Sequence, residues 1–234
     1  IKMQKKHTLL WTSGWDSIFR LLEIILIEKE LVQPIYIIDE DRKSLKNELN
    51  AIDLILKKIE NDFPTSRELI LPMKFFKKSE IVISPEIKSA FELVKKSIKI
   101  GSQYEWISAL CEQEKFTEVE LCIFKNERTD ILFDDSKESE DKTDNRSELN
   151  EAIKLIFKYY SFPVLKIDKM DMYTISKNNN WLEIMKLTWF CHKPKKGKPC
   201  GKCNPCKIAV KEGLGFRIPF INRMEGRLKN IFSK

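Results

Sequence analysis

Cys191, Cys200, Cys203 and Cys206 fall within sixteen residues, in the spacing C-x8-C-x2-C-x2-C. Four thiolates so placed can close a tetrahedral shell around Zn²⁺, with bonds of ~2.3 Å. Gly201 permits a tight turn between ligands, and Pro205 stiffens the last step. Six lysines (Lys193, Lys195, Lys196, Lys198, Lys202 and Lys207) surround the cluster and favour ionised thiols. A closed four-sulfur shell has no open position, so its expected role is structural. An iron–sulfur cluster is the other group these ligands suit. His192 could replace one ligand.

A second chemical segment is Thr12-Ser13-Gly14-Trp15-Asp16-Ser17. It follows an apolar run, His7 to Thr12, and precedes a helical pattern. Small residues there can turn successive backbone N–H groups into one concavity, and the helix start adds its positive dipole end. Thr12, Ser13 and Ser17 add hydroxyls. Asp16 would repel a bare phosphate, so it is expected to cap the helix or hold a metal ion. The plain alternative is a capped strand-to-helix turn. Neither G-x-x-x-x-G-K-[ST] nor G-x-G-x-x-G occurs in the chain, which weighs against the common NTPase and dehydrogenase loops.

Apolar periodicity supplies the elements that must position these residues. Strands are expected at His7–Thr12, Pro34–Ile38, Glu68–Leu71, Val119–Phe124 and Pro163–Ile167. Helices are expected at Asp16–Glu30, Ser44–Asp62, Pro85 to about Lys99, Gln103–Lys115, Leu149–Tyr160 and Lys169–Lys177. The alternation of strand and helix implies an α/β fold with a parallel sheet. Ser84-Pro85 reads as an N-cap followed by proline at the first helical position. The stretch from Asp134 to Glu151 holds eight acids and almost no apolar residue before Leu149, and reads as a mobile surface loop near 134–148.

The chain has 234 residues, 42 Lys plus Arg against 35 Asp plus Glu, and a net charge of +7. From Trp189 to Lys234 there are twelve basic residues against Glu212 and Glu225, so the remainder carries a net −3. A uniformly basic nucleic-acid coat is therefore excluded; the excess sits around the cysteines and in the tail. No segment approaches the ~20 apolar residues of a membrane span. With no signal-peptide core at Ile1 to His7 and clustered cysteines, a cytoplasmic location is expected. The expected division is 1–186 for the sheet domain and 187–234 for the metal segment and basic tail.

Thr12-Ser-Gly-Trp-Asp-Ser17 resembles the S-G-G-x-D-S loop of the PP-loop ATP pyrophosphatase superfamily. Leu187-Thr-Trp-Phe-Cys191 with Cys200-Gly-Lys-Cys-Asn-Pro-Cys206 resembles the zinc segment of 7-cyano-7-deazaguanine synthases, of the queuosine-biosynthesis type. Pro163 to Asp171 is similar to that family's segment with a lysine and an acid before a short helix. The resemblance implies a Rossmann-like five-stranded parallel sheet, ATP with Mg²⁺, a Cys₄ zinc and a homodimer. It implies adenylation of a 7-carboxy-7-deazaguanine carboxylate, attack by ammonia to give an amide, and a second activation to give the nitrile. Under it Thr12, Ser13, Gly14, Asp16 and Ser17 cradle the phosphates, and Asp16, Ser17 and Lys169 are catalytic. Gln103 and Tyr104, in Gly101-Ser-Gln-Tyr-Glu-Trp106, would face the deazapurine, and Asp130 loosely matches an acid after the fourth strand.

Two departures stand out. Thr12 and Ser13 replace the usual serine and glycine, so Ser13 is expected to reach the loop geometry with a negative φ. The family's aromatic and arginine-rich stretch has no clear counterpart, which leaves room for another amine acceptor on a protein or nucleic acid. Two other classes remain open from the sequence. One is a PP-loop tRNA-modifying enzyme, thiolase-like, which the basic tail suits. The other is a non-enzymatic zinc module binding nucleic acid or a partner.

Overall fold

The computed structural model describes residues 4–98, 100–123 and 144–231. Five strands, β1 (Lys6–Leu10), β2 (Leu31–Ile38), β3 (Lys74–Lys77), β4 (Val119–Glu120) and β5 (Tyr160–Ser161), form one sheet in the order β3-β2-β1-β4-β5. Every pairing is parallel. The chain runs outward from β1 through β2 to β3, then returns to the other side of β1. The order thus reverses between β1 and β4, and ligands bind beyond the carboxyl ends of strands at such a reversal. Thr12 to Ser17 begins two residues past the end of β1.

The helices are α1 (Trp15–Leu22), α2 (Leu45–Asp62), α3 (Pro64–Arg67), α4 (Pro85–Ser97), α5 (Gln103–Gln113), α6 (Asp144–Phe157), α7 (Lys169–Asn178), α8 (Leu182–Lys186), α9 (Asn204–Lys211) and α10 (Phe220–Ile231). Alternation along the strands sends side chains to two faces. Leu9, Val32 and Tyr36 pack in one core with Phe19 of α1 and Ile55 of α2. Leu10, Ile35 and Val119 pack in the other, with Phe91 of α4, Leu110 of α5 and Ile156 of α6. Cys191, Cys206, Leu214 and Ile218 belong to the first core, so the cysteine segment and α1 share one apolar interior.

The structure moves several expected elements. Glu68–Leu71 makes only an isolated bridge, Val32 to Ile70. The edge strand follows at Lys74–Lys77, where lysines flank a half-exposed Phe-Phe pair, as edge strands often do. Pro163–Ile167 is a pair of turns, with Leu165 N–H on the Phe162 carbonyl and Ile167 N–H on that of Val164. Pro163 has no N–H to give a ladder, so the strand lies just before it at Tyr160–Ser161. Helix α6 starts at Asp144, earlier than Leu149. The acidic stretch before it, the end of the expected fourth strand at Phe124, and Asp130 lie outside the described residues.

The helix expected over Asp16–Glu30 is α-helical only to Leu22 and continues as a π-helix over Glu23–Glu28. The wider turn brings Glu28 onto the guanidinium of Arg20. Arg20 also donates from Nε to Glu120 at 2.7 Å and from NH2 to the same carboxylate at 2.9 Å. His7 spans Glu120 at 2.7 Å and Glu30 at 2.6 Å. Strand β1, strand β4 and α1 are thus tied by charges inside the fold. Among the described residues no helix is long and apolar enough to cross a membrane.

Candidate functional site

The loop after β1 is held from within. Ser17 Oγ donates to the Gly14 carbonyl at 3.3 Å and accepts from Thr12 N–H at 3.3 Å. Gly14 is the N-cap of α1, so Asp16 does not serve as the cap. The first-turn N–H groups of α1 lack intrahelical partners by helix geometry and are available to an anion. A methyl group on Gly14 would stand 3.2 Å from Thr12 Oγ1, so a side chain there would crowd the loop.

Ser13 departs from expectation. Its φ is +55°, in the left-handed region, not negative. Its hydroxyl is buried and has no hydrogen-bond partner among the described residues, and its carbonyl accepts from Trp189 N–H at 2.9 Å. The loop therefore keeps a glycine-like backbone with a serine in it. Ser13→Gly is expected to stabilise the fold by about 1–4 kcal/mol. It relieves ~1–2 kcal/mol of left-handed strain and ~1–3 kcal/mol for the unsatisfied hydroxyl, against ~0.5–1 kcal/mol of added chain entropy. Urea unfolding checks this; a lower midpoint would show that the hydroxyl has a partner in solution.

Lys169 reaches the loop from the first turn of α7. Its ammonium hydrogen-bonds the Asp16 carboxylate across 153 residues of sequence, with both side chains largely buried. A capping box sets the start of α7: Asp168 accepts from Met170 and Asp171 N–H, both at 2.7 Å, and Asp171 accepts from Asp168 N–H. Two helix N-termini therefore converge on one carboxylate–ammonium pair.

The pair lines a cleft of about 260 Å³ that also holds Arg42, His192, Glu212 and Arg217. Arg42 and Glu48 stand beyond the end of β2, where Glu48 accepts from Tyr36 OH at 2.8 Å and Ser44 Oγ at 2.6 Å. Burial pushes the Glu212 carboxyl above its ordinary range, opposed by Lys169. Burial, then Arg42, pulls His192 down. His192 lines this cleft and is not among the converging ligand atoms, so it does not replace a cysteine. Sequence reading missed Arg42, Glu212 and Arg217 as site residues. The position of Arg42 just past a strand end was the one available signal.

Gln103 and Tyr104 open α5 elsewhere. Tyr104 is buried in the second core, its ring 5.2 Å from that of Phe157, and neither residue lines this cleft. The aromatic residues at the cleft are instead Trp15, Trp189 and Phe190.

The four sulfurs converge within 4.8 Å of one another. Cys191–Cys203 is 3.8 Å, Cys200–Cys206 is 4.0 Å and Cys203–Cys206 is 3.5 Å. A tetrahedron of Zn–S bonds has sulfur–sulfur edges of about 3.8 Å, so the donor set fits zinc. Backbone N–H groups point at the sulfurs, Cys200 at Cys191 (3.2 Å) and Cys203 at Cys200 (3.4 Å), and favour thiolates. Gly201 has φ +74°, and a methyl group there would collide with the Asn222 backbone of α10. Asn222 also donates to the Pro199 carbonyl at 2.8 Å, and Lys202 reaches Glu225 at 2.8 Å. Part of the basic tail is thereby docked on the metal knuckle.

A parallel sheet thus carries a loop of small residues at its strand reversal, faced by a lysine and closed by a four-thiol knuckle. Residues 134–214, about a third of the chain, match the family model described as Queuosine biosynthesis protein QueC, the 7-cyano-7-deazaguanine synthases. The match is consistent with a QueC-like member of the PP-loop superfamily. At the level of the family it supports an ATP-dependent, ligase-type function. No curated protein and no solved structure matches the chain.

Proposed function

We propose that the protein adenylates the carboxylate of a 7-carboxy-7-deazaguanine-like acid and converts it to an amide or nitrile, with ammonia or another amine, on a protein or nucleic acid, as acceptor. A carboxylate oxygen attacks the α-phosphorus of ATP and pyrophosphate leaves. An amine then attacks the acyl carbon and AMP leaves, giving the amide. Nitrile formation takes a second activation, at the amide oxygen. The observation that carries this reading is the Asp16–Lys169 pair at two converging helix starts, beside the anion loop. The match to residues 134–214 supports it.

The N–H groups opening α1, with Thr12 and Ser17, suit the phosphates. Lys169 suits the departing pyrophosphate, and Asp16 is the carboxylate placed to hold Mg²⁺ once Lys169 turns to the nucleotide. The zinc site supports the fold. Sulfur transfer is disfavoured. Burial pushes the Cys111 thiol up to about 12 and raises Cys122 well above its ordinary value, and the other four thiols converge on one another.

The test is purified protein with ATP–Mg²⁺ and 7-carboxy-7-deazaguanine, with and without ammonia, read by mass spectrometry. AMP, pyrophosphate and an amide or nitrile are expected. Asp16→Ala and Lys169→Ala should each lower AMP formation about a hundredfold or more while zinc content stays unchanged. No AMP with any carboxylate would sink the reading.

A further inference from the structure

Arg217 occupies a setting that suits a guanidinium only when an anion meets it. Its guanidinium carbon lies 5.0 Å from the Trp15 ring centroid and 4.5 Å from that of Phe190. One terminal nitrogen donates to the carbonyl and hydroxyl of Thr188. Its Nε is buried without a partner among the described residues. Among the described residues no carboxylate pairs with it within 4.0 Å. Stacking on two rings returns part of the desolvation of a cation, but not all of it.

Arg217 also belongs to a wall shared by two clefts. Trp189, Phe190 and Arg217 line the cleft of Asp16 and Lys169 and also a second one, of about 410 Å³. The second cleft adds Asn47 and Asn50 of α2. Each amide offers both donors and an acceptor, and the aromatic wall offers a flat apolar face. Convergent polar groups on an apolar lining mark a small-molecule site.

The geometry points to the second cleft as the subsite of the acid. A flat heteroaromatic carboxylic acid lies along Trp189 and Phe190, its polar edge at Asn47 and Asn50, and its carboxylate on Arg217 beside the phosphate loop. This rests on the acid-activating reading above. In that reaction an anionic oxygen must approach a polyanionic nucleotide. A guanidinium in the dividing wall lowers that repulsion on one carboxylate oxygen and leaves the other to form the new bond to phosphorus, as pyrophosphate departs. Lys169 lines only the first cleft and stays on the pyrophosphate side.

Calorimetric titration without turnover tests the subsite. The ligands are 7-carboxy-7-deazaguanine alone, its neutral nitrile counterpart, and a non-hydrolysable ATP analogue with Mg²⁺. Wild type should bind the acid about tenfold or more tightly than the nitrile. Arg217→Gln should lose about tenfold or more in acid affinity and keep analogue affinity within about twofold, with Arg217→Lys recovering part. Asn50→Leu, on an exposed stretch of α2, should also weaken the acid. Loss of analogue affinity with acid binding unchanged would assign Arg217 to a phosphate and overturn the proposal. Equal binding of acid and nitrile by wild type, or no acid binding at all, would also overturn it. If Arg217→Gln loses zinc or fails to fold, Asn50→Leu and the wild-type acid-to-nitrile ratio decide. Acid binding that depends on Arg217 without AMP formation would remove the reaction reading and leave the subsite standing.

Discussion

Removing zinc from Cys191, Cys200, Cys203 and Cys206, by a chelator or by Cys206→Ser, is expected to abolish nucleotide binding along with the C-terminal fold. Structural Zn²⁺ sites supply ~10–16 kcal/mol of apparent binding energy, comparable with the ~5–15 kcal/mol stability of a whole domain. Cys191 and Cys206 are fully buried in the core that contains Phe19 of α1, so losing the metal loosens a shared interior. The route to the nucleotide loop is short. Trp189, two residues before Cys191, donates its backbone N–H to Ser13 and its indole N–H to the Cys191 carbonyl at 2.8 Å. Metal content and ATP-analogue affinity should fall together, while protease sensitivity after residue 186 rises. Unchanged analogue affinity in the metal-free chain would show that the loop stands without the knuckle.

The second large effect lies in the charges under α1. Arg20→Met is expected to destabilise the protein by about 3–5 kcal/mol, because it leaves the buried Glu120 carboxylate without its cation. Arg20→Met with Glu120→Gln should recover much of that loss. Burial alone would raise the Glu120 carboxyl, but hydrogen bonds from Arg20, then its charge and His7, outweigh it and hold the group below its ordinary 4.5. Because the native value lies below the unfolded one, the stabilisation is complete above about pH 4.5 and is lost as pH falls through the native value. Urea titrations at pH 7 and at steps below pH 4.5 read this directly. An acid limb equally steep in wild type and in the double variant would remove Glu120 as its cause.

Much of this was legible in the residues themselves. The alternation of apolar strands and amphipathic helices specifies a parallel α/β sheet, and the cysteine spacing specifies a closed metal shell, because both depend on local pattern. The edge strand was not legible. Lys74–Lys77 is short and half-exposed, while Glu68–Leu71 looks more strand-like and makes only one bridge. The π-turn escaped for a related reason: Ile24, Ile25 and Ile27 look helical, and only the pull of Glu28 toward Arg20 distinguishes the wider turn. At the site, Lys169 stood out only through the resemblance of the segment Pro163 to Asp171, since by itself it reads as a surface lysine. Arg217 did not, since in the sequence it is one basic residue among twelve from Trp189 onward, and its two aromatic neighbours come from distant segments.

The Asp16–Lys169 contact spans 153 residues, and the Thr188–Arg217 contact beside it involves residues later still in the chain. During synthesis the loop after β1 is made 153 residues before the lysine that pairs with its Asp16. Closing contacts of such length is slow. A newborn chain therefore carries β1, α1 and β2 while the cleft between Asp16 and Lys169 is still unbuilt. The four cysteines follow every strand of the sheet, so a metal bound there would act on a sheet whose residues are already made.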